Sequence, residues 1–253
     1  MFLPKTKFFL LFSFLILSHL QLYPVETDVK PQAKAYYYKA LQASSLQEKI
    51  DLCTKAIECQ FNFTEAYNSR GLAKENTGDL KGAISDFNLA IRLSPDNPTL
   101  YFNRGFIKYS LNDFTGAIED YNKAIELKPD YVMAIYNRGF VKYNNGNFDG
   151  AIDDYTKTIE LAPTDCIAYN SRGIAWFAKE DFKNSIADFS KAIELNSKYS
   201  DAYYNRAISK YHMEDYDGAD ADFISAENSK QFQNKSQDNR VKNKTEVDLK
   251  NKL

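Results

Sequence analysis

Histidine is nearly absent from the 253-residue chain, with two in all, and cysteine and tryptophan are scarce at three and one. Two histidines, one of them His19 near the N-terminus, are too few for a histidine metal cluster or a histidine-based catalytic triad. Three cysteines cannot frame a disulfide scaffold. Seven prolines and ten glycines exclude collagen-like and low-complexity classes. No glycine-rich phosphate loop occurs. Charge of one sign is also missing. With 32 basic and 34 acidic residues the formal net charge is −2, whereas a nucleic-acid binder shows a clearly basic domain. What the chain has in excess is aromatic side chains, 18 Tyr and 18 Phe.

Met1–Lys7 carries Lys5 and Lys7 and no acid, and Phe8–Leu17 (FFLLFSFLIL) is a ten-residue apolar run. A basic start followed by an apolar stretch of about 7–15 residues is the layout of a secretory signal. A membrane span needs about 18 or more apolar residues, and Ser18, His19 and Gln21 interrupt before that. No clean small-x-small cleavage pair lies between Ser18 and Asp28, so residues 1–25 are a signal peptide or an uncleaved signal anchor. The expected location is exported, periplasmic or secreted, with membrane anchoring through this segment as the variant. Sequons head at Asn62, Asn234 and Asn243, and they matter only in a host that glycosylates secreted proteins.

From residue 30 the chain repeats. YFNRGFIKYSLNDFTGAIEDYNKAIELKP returns 34 residues later as IYNRGFVKYNNGNFDGAIDDYTKTIELAP, and units start at Thr64, Pro98, Val132, Cys166 and Ser200. A worn copy starts at Lys30, with Ile50, Ala56 and Ile57 on the register of Ile84, Ala90 and Ile91. Each unit predicts two helices, from apolar and small residues at helical spacing such as Ala117, Tyr121, Ala124 and Ile125. Turns fall at Gly78-Asp79, Asn112-Asp113 and Gly146-Asn147, which tolerate left-handed backbone. Pro95, Pro129 and Pro163 end the second helices. The eighth residue is Gly71, Gly105, Gly139, Gly173 or Ala207, opposite Ala83, Ala117, Ala151, Ser185 or Ala219, which predicts close helix approach. A single hairpin cannot bury its apolar stripe, so the units must stack.

The 34-residue period with these aromatic, Gly, Ala and Pro landmarks resembles the tetratricopeptide repeat family. The resemblance implies an all-α, right-handed α-α superhelix, a solenoid of helix-turn-helix repeats. Its units are 30–63 (degenerate), 64–97, 98–131, 132–165, 166–199 and 200–233, and 234–253 is a basic polar tail or capping helix. Departures are Tyr37 for Gly and Lys49 for Ala in the first unit, and Asp220 and Glu227 in the last, whose second helix is expected to fray. Without the tail from Asn228 and the N-terminal segment, 23 basic and 31 acidic residues remain, a net −8.

The seventh residue of each good unit is Arg70, Arg104, Arg138, Arg172 or Arg206, and sixteen residues on stands Asp86, Asp120, Asp154, Asp188 or Asp222. In the worn unit both vanish together, as Tyr36 and Leu52. Joint presence and absence predicts structural ion pairs, because a buried charge left alone is costly. Lys74, Lys108, Lys142 and Lys210, at the eleventh residue, are expected to snorkel beside this ladder. Cys53 and Cys59 occupy the registers of Phe87 and Leu93 and are expected in the core.

The fifth, ninth and twelfth residues share one helix face: Phe102, Phe106 and Tyr109, then Tyr136, Phe140 and Tyr143, then Tyr204, Ile208 and Tyr211. The sixth residues include Asn103, Asn137 and Asn205, with Ser69 and Ser171. The family resemblance implies that first helices line the concave side. In some members of that family amides there hold a peptide backbone, each offering a donor and an acceptor; the aromatics either add contact area to such a groove at low entropy cost or pack between neighbouring first helices. The fifth residues include no lysine, so a carboxylate clamp is not implied. The implied function is a non-enzymatic scaffold for a protein or peptide partner, without cofactor, metal or nucleic acid. A module stacking envelope glycan on the aromatic groove is the alternative. Oligomeric state is not legible.

Overall fold

The computed structural model describes residues 28–230. The expected N-terminal signal (1–25) and the tail (234–253) lie outside them. Eleven helices are α1 (Pro31–Leu41), α2 (Leu46–Cys59), α3 (Thr64–Asn76), α4 (Leu80–Leu93), α5 (Pro98–Ser110), α6 (Phe114–Leu127), α7 (Val132–Asn144), α8 (Phe148–Leu161), α9 (Cys166–Ala178), α10 (Phe182–Leu195) and α11 (Ser200–His212). A further helix, α12, covers 216–230, and the described residues include no strand. The fold is an all-α solenoid in which each odd helix packs on the even helix that follows and each even helix on the next odd one.

The turn inside each unit is written by two residues. A left-handed residue (Gly78 at φ 85°, Asn112 at 62°, Gly146 at 78°, Glu180 at 62°, Glu214 at 63°) reverses the chain. The next residue then caps the second helix: Asp79, Asp113, Asn147 and Asp181 accept from the backbone N–H three residues on, and Asp215 does the same for Gly218 at 3.0 Å. Proline lies two residues beyond α4, α6 and α8, yet α10 stops at the same register without one, at Asn196. Proline therefore confirms an end that the packing already sets.

Packing explains the eighth-residue glycine. A Cβ at Gly71 would stand 3.0 Å from the Phe87 ring, at Gly105 3.1 Å from Tyr121 and at Gly173 2.7 Å from Phe189. A ring of the second helix lies against each of these glycines, while the facing Ala83, Ala117 and Ser185 are fully buried. Phe87, Tyr121, Tyr155 and Phe189 are thereby fully buried, each contributing about 1.5–3 kcal/mol. Burial also pushes the phenols of Tyr121 and Tyr155 far above the ordinary tyrosine value. The first unit inverts the arrangement. Its bulky residue is Tyr37 on α1, stacked edge-on to Phe63 at 5.0 Å, and the ring position on α2 shrinks to the buried Cys53. Burial pushes the Cys53 thiol up to about 11.

Where fraying of the last helix was expected, α12 runs unbroken through residue 230. Asp222 is held by Arg206 at 2.6 Å and Lys210 at 2.8 Å, and Ser200 Oγ donates to the Ala226 carbonyl at 2.9 Å. Asp220 is exposed and so costs nothing.

Candidate binding groove

Successive first helices α3, α5, α7, α9 and α11 pack directly on one another, and no two second helices approach as closely. The first helices therefore occupy the tighter, inner side of the curve. On each, residues 2, 5, 6, 9, 12 and 13 of the unit fall within about 120° of arc at 100° per residue. From α5 through α9 this arc holds no Lys, Arg, Asp, Glu or His. Phe106 and Phe140, ninth residues, stand 40% and 38% exposed on it, and Met133, Ile167, Tyr204 and Tyr211 are also exposed.

The other expected groove rings lean on second helices. Phe102 lies 5.8 Å from Tyr121 and 5.2 Å from Tyr131 between centroids. Tyr136 lies 5.4 Å from Tyr155, Tyr109 5.8 Å from Phe114 and Tyr143 5.4 Å from Phe148. Tyr204 meets Phe223 at 5.5 Å and Tyr211 meets Tyr216 at 5.1 Å. The fifth and twelfth rings thus wall the trough while the ninth rings form its floor.

The three asparagines are not equivalent. Asn103 Nδ2 donates to Asn68 Oδ1 at 2.9 Å and Asn205 Nδ2 to Asn170 Oδ1 at 3.1 Å. Tyr136 and Ser171 hydroxyls pair at 2.9 Å in the same register. Each stitch joins the fifth residue of one unit to the sixth of the next, 35 residues apart. Phe102 has no polar atom to offer, so Asn137 donates instead to the Met133 carbonyl of its own helix at 2.7 Å. Every one of these amides keeps an acceptor lone pair and a second N–H.

Below the trough runs the ion ladder. Arg138 Nε and Nη2 grip Asp154 at 2.9 and 2.5 Å, and Lys142 Nζ reaches the same carboxylate at 2.8 Å. Arg70, Arg104, Arg172 and Arg206 grip Asp86, Asp120, Asp188 and Asp222 in the same way. Lys74, Lys108 and Lys210 also join it. In the unit from Cys166 the lysine position is Trp176, and among the described residues Asp188 pairs with Arg172 alone. The hydrogen bonds that it donates to Asp188 hold the Arg172 guanidinium above its ordinary range. A partner set that the sequence reading missed completes the ladder. Each Arg Nη1 reaches back to the preceding unit, to Thr54, Asn88, Asn122, Thr156 or Ser190. The signal was present: that register always carries a side-chain oxygen until the last unit, where Ile224 has no following arginine to serve. One arginine therefore ties three helices, and no buried side-chain polar atom among the described residues lacks a partner.

Among the described residues no group of three or more His, Cys, Asp or Glu is placed to hold a metal, and no helix is long and apolar enough to cross a membrane. Cys53, Cys59 and Cys166 are free thiols.

Tetratricopeptide repeat models match residues 76–111 and 107–146, and a second model matches 132–165. No curated protein matches the chain. Among solved structures, MamA is 26% identical over 64% of this chain and 95% of its own, at a TM-score of 0.61. MamA of Desulfovibrio magneticus RS-1 is 20% identical over 67% and 96%, at 0.64. YrrB, described as a repeat protein with an unusual peptide-binding site, is 19% identical over 70% and 91%, at 0.61. Tetratricopeptide proteins are generally non-catalytic scaffolds that bind protein or peptide partners. These repeat matches lie on the stacked hairpins described above, and over residues 76–165 the chain consists of tetratricopeptide repeats.

Proposed function

We propose that the protein is an exported, non-enzymatic scaffold whose inner trough captures an extended, uncharged segment of a partner protein. The observation that carries this reading is the uncharged inner arc from α5 through α9, floored by exposed Phe106 and Phe140 and edged by amides. An ion entering it would lose its hydration without meeting a counter-charge, whereas a peptide backbone finds donors and acceptors. Nucleic acid is disfavoured on the same ground, since the arginines and the lysines at the eleventh residue are committed to aspartates. Export, with cleavage or anchoring, rests on Lys5, Lys7 and the Phe8–Leu17 run. The exposed ninth-residue rings also suit sugar stacking, and an envelope glycan is the second reading.

The test replaces Asn103, Asn137 and Asn205 with alanine. Each lost hydrogen bond is worth about 0.5–1.5 kcal/mol, so affinity for a partner crosslinked and purified from the native source should fall about tenfold or more. Asn68→Ala with Asn170→Ala breaks the same stitches but leaves the three amides, and should retain binding. Unchanged affinity in the triple variant defeats the groove, and retention on purified envelope polymer instead of protein selects the second reading.

A further inference from the structure

The inner face is not uniform along its length. In the units from Pro98 and Val132 the ninth residue is a ring, Phe106 or Phe140, but in the last two it is Ile174 or Ile208. Phe177, beside them at the twelfth residue, turns toward the C-terminal end, edge-on to Phe182 and His212 at 5.4 Å each. The ring volume lost at Ile174 and Ile208 leaves a pocket of about 80 Å3 between α9, α10 and α11, lined by Ile174, Phe177, Phe189, Asn205 and Ile208. Four of its five walls are apolar. The fifth, Asn205, has one N–H committed to Asn170, which fixes the amide at the rim with its oxygen and second N–H available.

From this geometry we propose that the pocket is a specificity site for one branched aliphatic side chain, Leu, Ile or Val, of an uncharged extended peptide, with Asn205 holding the adjacent peptide group. The inference rests on the trough reading above and adds the identity of the anchor. Size favours a compact anchor: a closed apolar cavity of about 150 Å3 admits benzene, and this pocket, open on one side, holds about 80 Å3. Charge decides the rest. No ionised side chain lines the pocket, Asp201 and His212 standing at the two ends of α11 outside its lining, so an acidic or basic group inside it would be desolvated without a partner.

The test uses the full chain with isotope-labelled isoleucine methyl groups and a series of acetylated, amidated nonapeptides of Ser, Thr and Asn. Their central residue is Leu, Ala, Phe, Asp or Lys. The Leu peptide should shift the Ile174 and Ile208 methyl signals saturably and bind about tenfold more tightly than the Ala peptide, with Phe, Asp and Lys no better than Ala. Ile208→Phe installs the ring that sister units already carry at that register, and should abolish the Leu preference, so that Leu and Ala peptides bind the variant alike. Equal binding of Leu and Ala, best binding of Phe, or a Leu preference that survives Ile208→Phe overturns the proposal but leaves the trough reading intact. Binding by none of the peptides overturns both. Methyl shifts that follow protein concentration without peptide mean that a second copy fills the pocket, which also overturns the proposal. The peptide series on the native chain stands by itself should Ile208→Phe fail to fold.

Discussion

The ion ladder contains its own control. Arg138→Ala leaves Asp154, only 3% exposed, with Lys142 still 2.8 Å away. Arg172→Ala leaves Asp188, 6% exposed, with no cation paired to it among the described residues, because Trp176 stands where the lysine would be. Breaking a buried pair by removing one partner costs about 3–5 kcal/mol. The retained lysine places Arg138→Ala near about 3 kcal/mol and its absence places Arg172→Ala near about 5. For a folded unit of this size, 1 kcal/mol moves the melting midpoint by about 2–4 °C, so the two variants should differ by about 4–8 °C. Solenoids can unfold in segments, so the assay is thermal unfolding followed both by circular dichroism and by the fluorescence of Trp176, the single tryptophan. Combining Arg138→Ala with Asp154→Ala should lose less than Arg138→Ala alone, because the orphaned carboxylate is gone. Arg172→Ala costing no more than Arg138→Ala, or a double variant at least as damaged as the single, refutes the reasoning.

Two further outcomes follow from the same packing. Gly173→Ala sets a Cβ 2.7 Å from the Phe189 ring. Overpacking of about 1–3 kcal/mol outweighs the gain in helix propensity of about 1 kcal/mol, so the urea midpoint should fall, and by more than for Gly71→Ala, where the nearest ring atom is 3.0 Å away. Burial raises the Asp222 carboxyl, but hydrogen bonds from Arg206 and Lys210 outweigh it and hold the group below the ordinary carboxylate value. A folded-state pKa below the unfolded one gives stability that is present above the unfolded value of about 3.9 and lost as pH falls through the folded one. Stability measured from pH 5 downward should therefore drop below about pH 4, and Asp222→Asn should flatten that drop.

The register of the helices was legible because each unit repeats its neighbour, and helices do start at Thr64, Pro98, Val132, Cys166 and Ser200. The arginine–aspartate pairs were legible because Tyr36 and Leu52 replace both partners at once. The third member of the ladder escaped because Thr54, Asn88, Asn122, Thr156 and Ser190 share a hydrogen-bonding atom but not an identity. The amide stitches escaped for a different reason. They run 35 residues, one more than the period, so aligning units in register never places Asn68 beside Asn103. Which rings face the trough depended on partners in the second helices, such as Phe114 under Tyr109, and no periodicity within one helix reports those.

The neutrality of the trough follows from how the stack is held together. Stacking one unit on the next takes the arginine at residue 7, which must reach its own aspartate and a side-chain oxygen of the preceding unit. The lysine at residue 11 closes the same carboxylate from the other side. Both cations project below the inner face, and from α5 through α9 no acid stands on the inner arc, exposed Glu65 and Asp201 falling on the flanking helices α3 and α11. Polar atoms near the inner arc are spent partly on stitching sixth residues to fifth. What the stack does not consume is aromatic surface, the remaining half of each amide, and the gap left where Ile174 and Ile208 replace rings. Recognition there must proceed through shape and backbone hydrogen bonds, because the charges that could have read a partner are already engaged in holding the units together.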